Sequence, residues 1–238
     1  IVLITSPGVM WSEPAKLGLL AHHPNMMLID SFSSSEAIGL GQSVSAGDSA
    51  ADTASFALGV AARVVRDDGS DVEPGSGERG RVAVGGHVPI GYYKDPEKSA
   101  STFIQIDGKS YSCPGDWATV EADGSITLLG RGSVCINTAG EKVFPEEVEE
   151  ALKTHASVYD AVVVGVPDDR FGETIAAVVQ PTEGSSIDAD ELVAHTKHSL
   201  AGYKAPRTVL VVDSIGRAPN AKVDYKRWKS YAAEHVGA

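Results

Sequence analysis

The apolar positions of this chain fall into three successive patterns, and the first is a strand–helix–strand order. A β-branched apolar run at residues 1–5 and a second run at 26–29 predict two strands. Between them a helix is predicted at residues 13–22, with Ser12 as a possible cap and Pro14 in its first turn. This order is typical of a parallel α/β layer.

Two parts of this first region lack apolar periodicity. Residues 30–35 are small and polar, so they are predicted to form a loop, and residues 43–53 a loop or a sheet edge. The α/β layer is therefore predicted to extend to about residue 55.

From about Phe56 onward, short apolar runs alternate with turns rich in Asp and Gly. This spacing predicts a small antiparallel sheet or a β-barrel-like subdomain. The predicted strands are at residues 60–66, 80–85, 102–106, 117–121 and 125–129.

A third pattern, typical of a compact α+β domain, begins after Gly130 and Arg131. Pro145 with Glu146 and Glu147 predicts a helix start, because proline is preformed for the first turn and acids suit the positive helix end. Strands are predicted at 158–166, 174–180 and 208–213, and further helices at 189–200, with Asp188 as cap, and at 223–235.

Composition and charge narrow the classes of partner. The chain has 238 residues, is 42% hydrophobic and carries a net charge of -12, which argues against nucleic acid or an anionic membrane as the main partner. No apolar run approaches the roughly 18–20 residues of a membrane span. Cys113 and Cys135 are predicted to be buried or half-buried thiols in a reducing cytoplasm. Ile1 begins an apolar run without a basic segment before it, so a signal peptide is not expected.

Five segments carry residues suited to chemistry, and none is decisive alone. A serine-rich segment before Glu36 is usually a helix entry, Gly115-Asp116 is usually a turn, and a lone Lys222 is usually solvated. The five segments are residues 31–36, then 77–80 with 91–97, then 111–116, then 130–149, and finally 203–207 with 217–222.

Taken together and in order, these segments resemble the motifs of the adenylate-forming superfamily, which includes acyl-CoA synthetases, luciferases and peptide-synthetase adenylation domains. The likeness is greatest to bacterial fatty-acyl-CoA synthetases, through residues 130–137 and 140–149. It implies that residues 1–131 are the C-terminal part of a large N-terminal α/β adenylation domain. Residues 132–238 would be its small, mobile C-terminal α+β domain.

The first segment resembles the family's aromatic–Gly–x–Thr–Glu signature. The likeness implies that Ser31 and Phe32 bind the nucleotide, with the Phe32 ring on adenine, and that Ser35 contacts the α-phosphate or acyl carbonyl. Glu36 would help hold Mg²⁺, which prefers hard oxygen ligands. Ser33 replaces the usual glycine.

The third segment and the junction imply further nucleotide contacts. Asp116 resembles the aspartate that binds the ribose hydroxyls, and Arg131 the arginine that contacts the nucleotide. Ser133 stands at the hinge position, where the family usually has a charged residue. The segment around residues 91–97 resembles family scaffold and is assigned no chemistry.

The remaining segments imply residues for CoA and for catalysis. Gly140 and Glu141 resemble the loop that lines the CoA arm, and Lys204 and Arg207 are candidates for the CoA phosphates, although a solvated pair is an equal alternative. Lys222 resembles the catalytic lysine that bridges carboxylate and phosphoryl oxygens, since an ammonium is a compact point charge.

The implied reaction uses ATP, Mg²⁺, CoA and a small carboxylic acid, with a fatty acid expected and a homo-oligomer possible. The family's Ser/Thr/Gly-rich phosphate loop does not occur in the sequence, so the chain alone is expected to be inactive or very weak. Three alternatives stay open: an enzyme that loads a carrier protein, a luciferase-like oxidative enzyme, and a non-catalytic nucleotide-binding relative. Ser33, Ser133 and Ala221, which replaces a glycine beside Lys222, favour the last.

Overall fold

A computed structural model describes residues 1–7 and 11–236. The chain divides into two compact units, Ile1–Leu129 and Gly130–Ala238. The division falls just before Arg131, which the sequence analysis placed at the end of the first domain.

The first unit contains most of the strands. Its elements are β1 (Leu3–Pro7), α1 (Glu13–Leu20), β2 (Met27–Phe32), β3 (Gly41–Ala46), β4 (Ser55–Leu58), β5 (Ala62–Val65), β6 (Arg79–Gly85), α2 (Pro96–Thr102), β7 (Phe103–Ile106), β8 (Lys109–Ser112), β9 (Asp116–Val120) and β10 (Ile126–Arg131), whose end enters the second unit. Strands β1 and β2 are parallel neighbours, which confirms the predicted parallel layer. Ser12 is the N-cap residue of α1, but its side chain makes no capping hydrogen bond.

The predicted loop or edge at residues 43–53 is wrong where it overlaps β3. This strand pairs antiparallel with β2 on one side and with β4 on the other. Its buried positions are Gly41, Ser43 and Ser45. Buried and exposed positions alternate along the strand, but the buried ones are not large apolar residues, so the sequence shows no strand pattern. Strand β2 likewise continues to Phe32, through the first half of the predicted loop at 30–35.

The β-barrel-like subdomain is also corrected, because the sheet is open. Across the described residues it has ten strands in the order β1-β2-β3-β4-β10-β9-β6-β8-β7, with β5 paired to β6. Strand β3 joins the parallel pair to the antiparallel strands through β4, so the strands extend one sheet and do not close on themselves. A core that includes Phe56, Val82 and Ile126 is packed against it.

Helix α2 was not predicted, although its start has a local signal. The Asp95 side chain accepts a hydrogen bond from the Lys98 amide at 3.0 Å, and Pro96 is the first helical residue. The helix is short, so its apolar pattern is too brief to recognise.

The second unit is built around a long hairpin. Its elements are β11 (Ile136–Thr138), β12 (Glu141–Val143), α3 (Pro145–Lys153), β13 (Val158–Asp168), β14 (Gly172–Pro181), α4 (Ala189–Ser199), β15 (Thr208–Val211) and α5 (Tyr225–His235). The described strands order as β12-β11-β14-β13, with β15 parallel to β14. The predicted helix start at Pro145 and the cap at Asp188, which accepts from two amides of α4, are confirmed.

Both faces of the β13–β14 hairpin are buried. One face packs Val163 and Ala177 against α3 and α4, and the other packs Val162 and Val178 against Trp228 of α5. Strands that are covered on both sides have continuous apolar sequences, which is why residues 158–166 are almost uniformly apolar. This rigid centre positions the loops described below.

Candidate functional site

Glu36, the predicted Mg²⁺ ligand, follows β2 in the first unit and is held by a tyrosine. Its Oε1 atom accepts a hydrogen bond from the hydroxyl of Tyr92 at 2.7 Å. This bond lowers the pKa of the Glu36 carboxyl, against a partial opposing effect of burial, and the charge of Lys98 lowers it slightly further. The Lys98 ammonium lies 3.9 Å from the centroid of the Tyr92 ring. An ionised carboxylate is therefore presented next to a phenol and a cation.

Tyr92 is a site residue that the sequence analysis missed, because it lies in the segment treated as scaffold. Its amide donates to Ser99 Oγ at 2.7 Å, and its ring lies 5.5 Å from the ring of Phe103. Both contacts fix the phenol that reaches Glu36. No local signal could have found this pair, since the two residues are 56 positions apart.

The other residues of the first segment differ in exposure. Phe32 is buried, and its ring centroid lies 5.6 Å from that of Phe56 in the core. Ser31 is half-buried at the end of β2, and Ser35 is exposed. Their nucleotide and acyl contacts stay predictions.

Asp116, the predicted ribose ligand, is the first residue of β9 and is only 5% exposed. It lies close enough to Cys113 for its charge to act on that thiol, whose pKa is raised chiefly by burial. Cys113 is buried and Cys135 half-buried, and both are free, as predicted. The ribose role of Asp116 stays a prediction.

The junction residues lie at the start of the second unit. The amide of Arg131, the last residue of β10, donates to Glu146 Oε1 at 3.3 Å. Ser133 is exposed in a single 3₁₀ turn, Gly132–Val134. The nucleotide role of Arg131 and the hinge role of Ser133 stay predictions.

The predicted CoA residues separate into two groups. Gly140 lies in the tight turn of the hairpin formed by β11 and β12, and Glu141 is the first residue of β12. The amide of Ala139, which precedes Gly140, donates to the carbonyl of Phe171 at 2.9 Å. The Arg207 guanidinium lies 4.1 Å from the centroid of the Phe171 ring. The structure therefore brings Arg207 close to the Gly140 hairpin through Phe171.

Lys204 belongs to the other group. Its Nζ lies 2.5 Å from Glu147 Oε2 at the start of α3, and both side chains are largely buried. The ion pair ties the 3₁₀ turn Gly202–Lys204 to that helix. A phosphate would have to compete with Glu147 for this ammonium.

The loop that carries Lys222 is closed by its own hydrogen bonds. The Ala218 amide donates to the Lys222 carbonyl at 3.0 Å, and the Ala221 amide donates to the Ala218 carbonyl at 2.8 Å. The Lys222 amide also donates to Asn220 Oδ1 at 3.2 Å. The Lys222 side chain is exposed, so its backbone is fixed while its ammonium is accessible.

Ala221 adopts the backbone conformation that the family's glycine would favour. Its φ is +60°, in the left-handed region that costs a residue with a Cβ roughly 1–2 kcal/mol. The substitution at this position therefore preserves the shape of the loop and adds strain to it.

Two buried carboxylates flank this loop, and the sequence analysis assigned neither. Asp160 on β13 pairs with Arg217, with Nε–Oδ2 at 2.7 Å. Glu149 on α3 accepts from the hydroxyl of Tyr225, the first residue of α5, at 3.0 Å. Burial raises the pKa of Glu149 to about 8 and raises that of Tyr225 as well.

Comparisons with known proteins agree with these motifs. The family model for the AMP-binding enzyme C-terminal domain matches residues 147–222. The chain is 49% identical over 235 residues to a medium/long-chain-fatty-acid–CoA/3-oxocholest-4-en-26-oate–CoA ligase of Mycolicibacterium smegmatis, covering 98% of the chain and 42% of that protein. It is 46% identical over 229 residues to a 3-oxocholest-4-en-26-oate–CoA ligase of Rhodococcus rhodochrous, covering 94% of the chain and 40% of that protein. Among solved structures, ATP-bound MatB of Rhodopseudomonas palustris superposes with a TM-score of 0.79 at 26% identity, covering 98% of the chain and 46% of MatB.

The chain thus resembles the C-terminal portion of adenylate-forming enzymes, and the residues that match the AMP-binding enzyme C-terminal domain lie within its second unit. Its curated relatives are mycobacterial and related fatty-acid and steroid acid–CoA ligases. The predicted superfamily resemblance is confirmed. The chain spans less than half the length of these relatives.

No helix among the described residues is both long enough and apolar enough to cross a membrane.

Proposed function

We propose that the protein containing this chain activates a carboxylic acid with ATP and transfers the acyl group to CoA. The observation that carries the proposal is the 49% identity, over nearly the whole chain, to a protein named as a fatty-acid and steroid acid–CoA ligase. The exposed Lys222 on a closed loop and the ionised Glu36 supply the charges such a reaction needs.

In the first step, a carboxylate oxygen attacks the α-phosphorus of ATP and the bond to pyrophosphate breaks. Lys222 would neutralise the charge that develops on the carboxylate and phosphoryl oxygens. Asp116 and Arg131 would hold the ribose and phosphate, and Ser35 the phosphoryl or acyl oxygen. Little covalent chemistry is asked of the protein, so positioning and charge account for most of the rate.

Glu36 suits a role toward Mg²⁺. Among the described residues no group of three or more His, Cys, Asp or Glu side chains forms a metal cluster. Magnesium usually keeps several waters and takes one or two carboxylates together with substrate phosphates, so a single ionised carboxylate fits. When bound, the ion would offset charge on the phosphates.

In the second step, the CoA sulfur attacks the acyl carbon, the bond to the AMP oxygen breaks, and the thiol proton passes to solvent. The Gly140 hairpin and the adjacent Arg207 support a role in this step, because a cation lies beside a loop whose backbone a ligand can approach closely. Ser133 would lie at the hinge about which the C-terminal domain rotates between the two steps.

The acid is proposed to be large and apolar, since the relatives are named for medium- and long-chain fatty acids and for a steroid acid. The test is acid-dependent ATP–pyrophosphate exchange by the intact protein, followed by thioester formation, across short, medium, long-chain and steroid acids. Exchange with a long-chain acid and release of its CoA thioester is the expected result. A protein that binds AMP without any exchange would instead be a non-catalytic relative, and transfer to a holo-carrier protein in preference to CoA would indicate a loading enzyme.

The 238-residue chain alone is proposed to be inactive or very weak, because its sequence contains no Ser/Thr/Gly-rich phosphate loop ending in lysine. Acyl-CoA formation by the isolated chain, at a rate comparable to the intact protein, would overturn this part of the proposal.

A further inference from the structure

We propose that Arg217 is a positioning residue for Lys222: it ties the Ala221 carbonyl to Asp160 and thereby fixes the loop from which the lysine projects. The inference rests on the proposed function for the role of Lys222, but the geometry that carries it lies wholly within the second unit.

Arg217 uses both sides of its guanidinium. Nε donates to Asp160 Oδ2 at 2.7 Å, and Nη2 donates to Asp160 Oδ1 at 2.8 Å. The remaining nitrogen, Nη1, donates to the Ala221 carbonyl at 3.1 Å. A planar fork can make this bidentate pair and still reach a third acceptor, whereas an ammonium cannot.

Asp160 is a fixed anchor. Its residue is 9% exposed on β13, and its Oδ1 also accepts from the Ala161 amide at 2.9 Å. The strand has a register shift between Val158 and Asp160, a local irregularity of the kind that re-aims side chains. Ala161 and Val162, the next two residues of the strand, are fully buried in the two cores on its opposite faces, so the carboxylate cannot follow a moving loop.

The incoming chain is anchored separately. The amide of Ile215, which is 1% exposed, donates to Gln180 Oε1 at 2.9 Å. The backbone two residues before Arg217 is therefore fixed, and the Arg217 side chain reaches across the loop to Ala221. The residue that it contacts, Ala221, directly precedes Lys222 and has the strained φ of +60°.

This arrangement gives Arg217 a specific task. Ala221 lacks the conformational freedom of glycine, so its left-handed backbone is strained, and a restraint in addition to the loop's own hydrogen bonds helps to hold it. The hydrogen bond from Arg217 to its carbonyl is such a restraint. The exposed Lys222 ammonium forms no ion pair with any of the described residues. Without the hydrogen bond from Arg217, the loop would sample other conformations and the lysine would lose its direction.

The first experiment is amide hydrogen exchange on the chain itself. Arg217→Met removes both contacts, and the control Lys153→Met breaks the Lys153–Glu150 pair, whose side chains are 27% and 16% exposed against 27% and 13% for Arg217 and Asp160. We expect exchange at the Ala218 and Ala221 amides to accelerate about tenfold or more in Arg217→Met, with no change in the control. Unchanged rates at both amides would overturn the proposal.

Two milder variants guard against simple misfolding. Arg217→Lys keeps the charge but cannot contact Asp160 and Ala221 together, and Asp160→Asn keeps the shape of the anchor. Both are expected to accelerate exchange at the same two amides while the rest of the second unit keeps its protection. Full protection of the loop in both variants would contradict the positioning role.

The second experiment separates positioning from general stability in the intact protein. Arg217→Met is expected to lower kcat for adenylation about tenfold or more with little change in the KM for ATP. Thioester formation from supplied acyl-adenylate should stay within about twofold, because Lys222 serves only the first step. Equal losses in both half-reactions would mean that Arg217 acts on stability alone.

These results also distinguish the inference from the proposed function. If the unmodified intact protein catalyses no acid-dependent exchange, the proposed function fails, and hydrogen exchange still decides whether Arg217 fixes the loop. If the protein is active and Arg217→Met retains wild-type kcat, the proposed function stands and the inference fails.

Discussion

Glu36 and Lys222 are held in place by opposite means. In the first unit, the functional carboxylate itself accepts a hydrogen bond from Tyr92. In the second, the side chain of Lys222 is exposed, and its loop is fixed through the backbone and through buried carboxylates on either flank. The difference teaches that a change near Glu36 should alter its chemistry, whereas a change near Lys222 should alter its direction.

Removing the lysine tests this contrast most strongly. Lys222→Ala in the intact protein is expected to lower the adenylation rate roughly 10²–10³-fold, the usual cost of losing one charge-stabilising donor. Thioester formation from supplied acyl-adenylate should be nearly unchanged. The exposed Lys226 on α5 offers a matched control, Lys226→Ala. Pyrophosphate exchange and single-turnover thioester formation check the two steps, and equal loss in both would remove Lys222 from its assigned role.

The buried carboxyl of Glu149 should make the second unit sensitive to pH. Its pKa is about 8 in the folded protein, against 4.5 for an exposed glutamate, so the folded state retains a proton that the unfolded state releases. The contribution of Glu149 to the free energy of unfolding is greatest below about pH 4.5 and falls as the pH rises from there to about 8. Above about pH 8 it no longer changes with pH. The slope is at most about 1.4 kcal/mol per pH unit.

Glu149→Gln should remove this slope. Protection of the Val163 amide, which donates to Glu149 Oε1, measures it by hydrogen exchange corrected for the intrinsic pH dependence. The buried Val82 in the first unit is the internal control, since its protection should not respond to the substitution. A slope that persists in Glu149→Gln would assign the pH dependence to other groups.

Restoring glycine beside the lysine should relieve strain. Ala221→Gly is expected to stabilise the loop conformation by about 1 kcal/mol, because glycine adopts a positive φ without steric cost. Slower amide exchange at Lys222 measures the gain. Ala218→Gly, at a position without a positive φ, should give no gain. Faster exchange in Ala221→Gly than in the unchanged chain would show that Ala221 is not strained.

The smallest expected effect concerns Tyr92. Tyr92→Phe removes the hydrogen bond that does most to lower the pKa of Glu36, so that pKa should rise. The acid limb of the adenylation pH profile should move to higher pH by the same amount, with a few-fold higher Mg²⁺ requirement. Tyr93→Phe is the control, since the Tyr93 side chain is 87% exposed. An unshifted acid limb in Tyr92→Phe would separate Tyr92 from the chemistry of Glu36.

Much of the fold followed from local signals in the sequence. The helix at Pro145, the cap at Asp188 and the apolar run of β13 were all predictable, because proline geometry, capping and burial on two faces act over a few residues. Strand β3 was missed because its buried positions are glycine and serine. The open form of the first sheet was missed because closure depends on which strands become neighbours.

The candidate residues themselves came from motif order, and so did the superfamily, which the comparisons confirm. Their partners did not. Tyr92 lies 56 positions from Glu36, and Arg217 lies 57 positions from Asp160. No periodicity or turn signal connects residues at such separations.

The sequence by itself determined the three successive regions of the chain, the candidate residues and the residue types that depart from the family, including Ala221 beside Lys222. Only the tertiary structure decided which carboxylates are buried, which side chains hold Glu36 and the Lys222 loop, and that Ala221 keeps the backbone of a glycine. The physical reason is range. Local backbone preferences are set by neighbours in the chain, whereas burial, charge pairing and restraint of a strained loop are set by residues that folding brings together from distant positions.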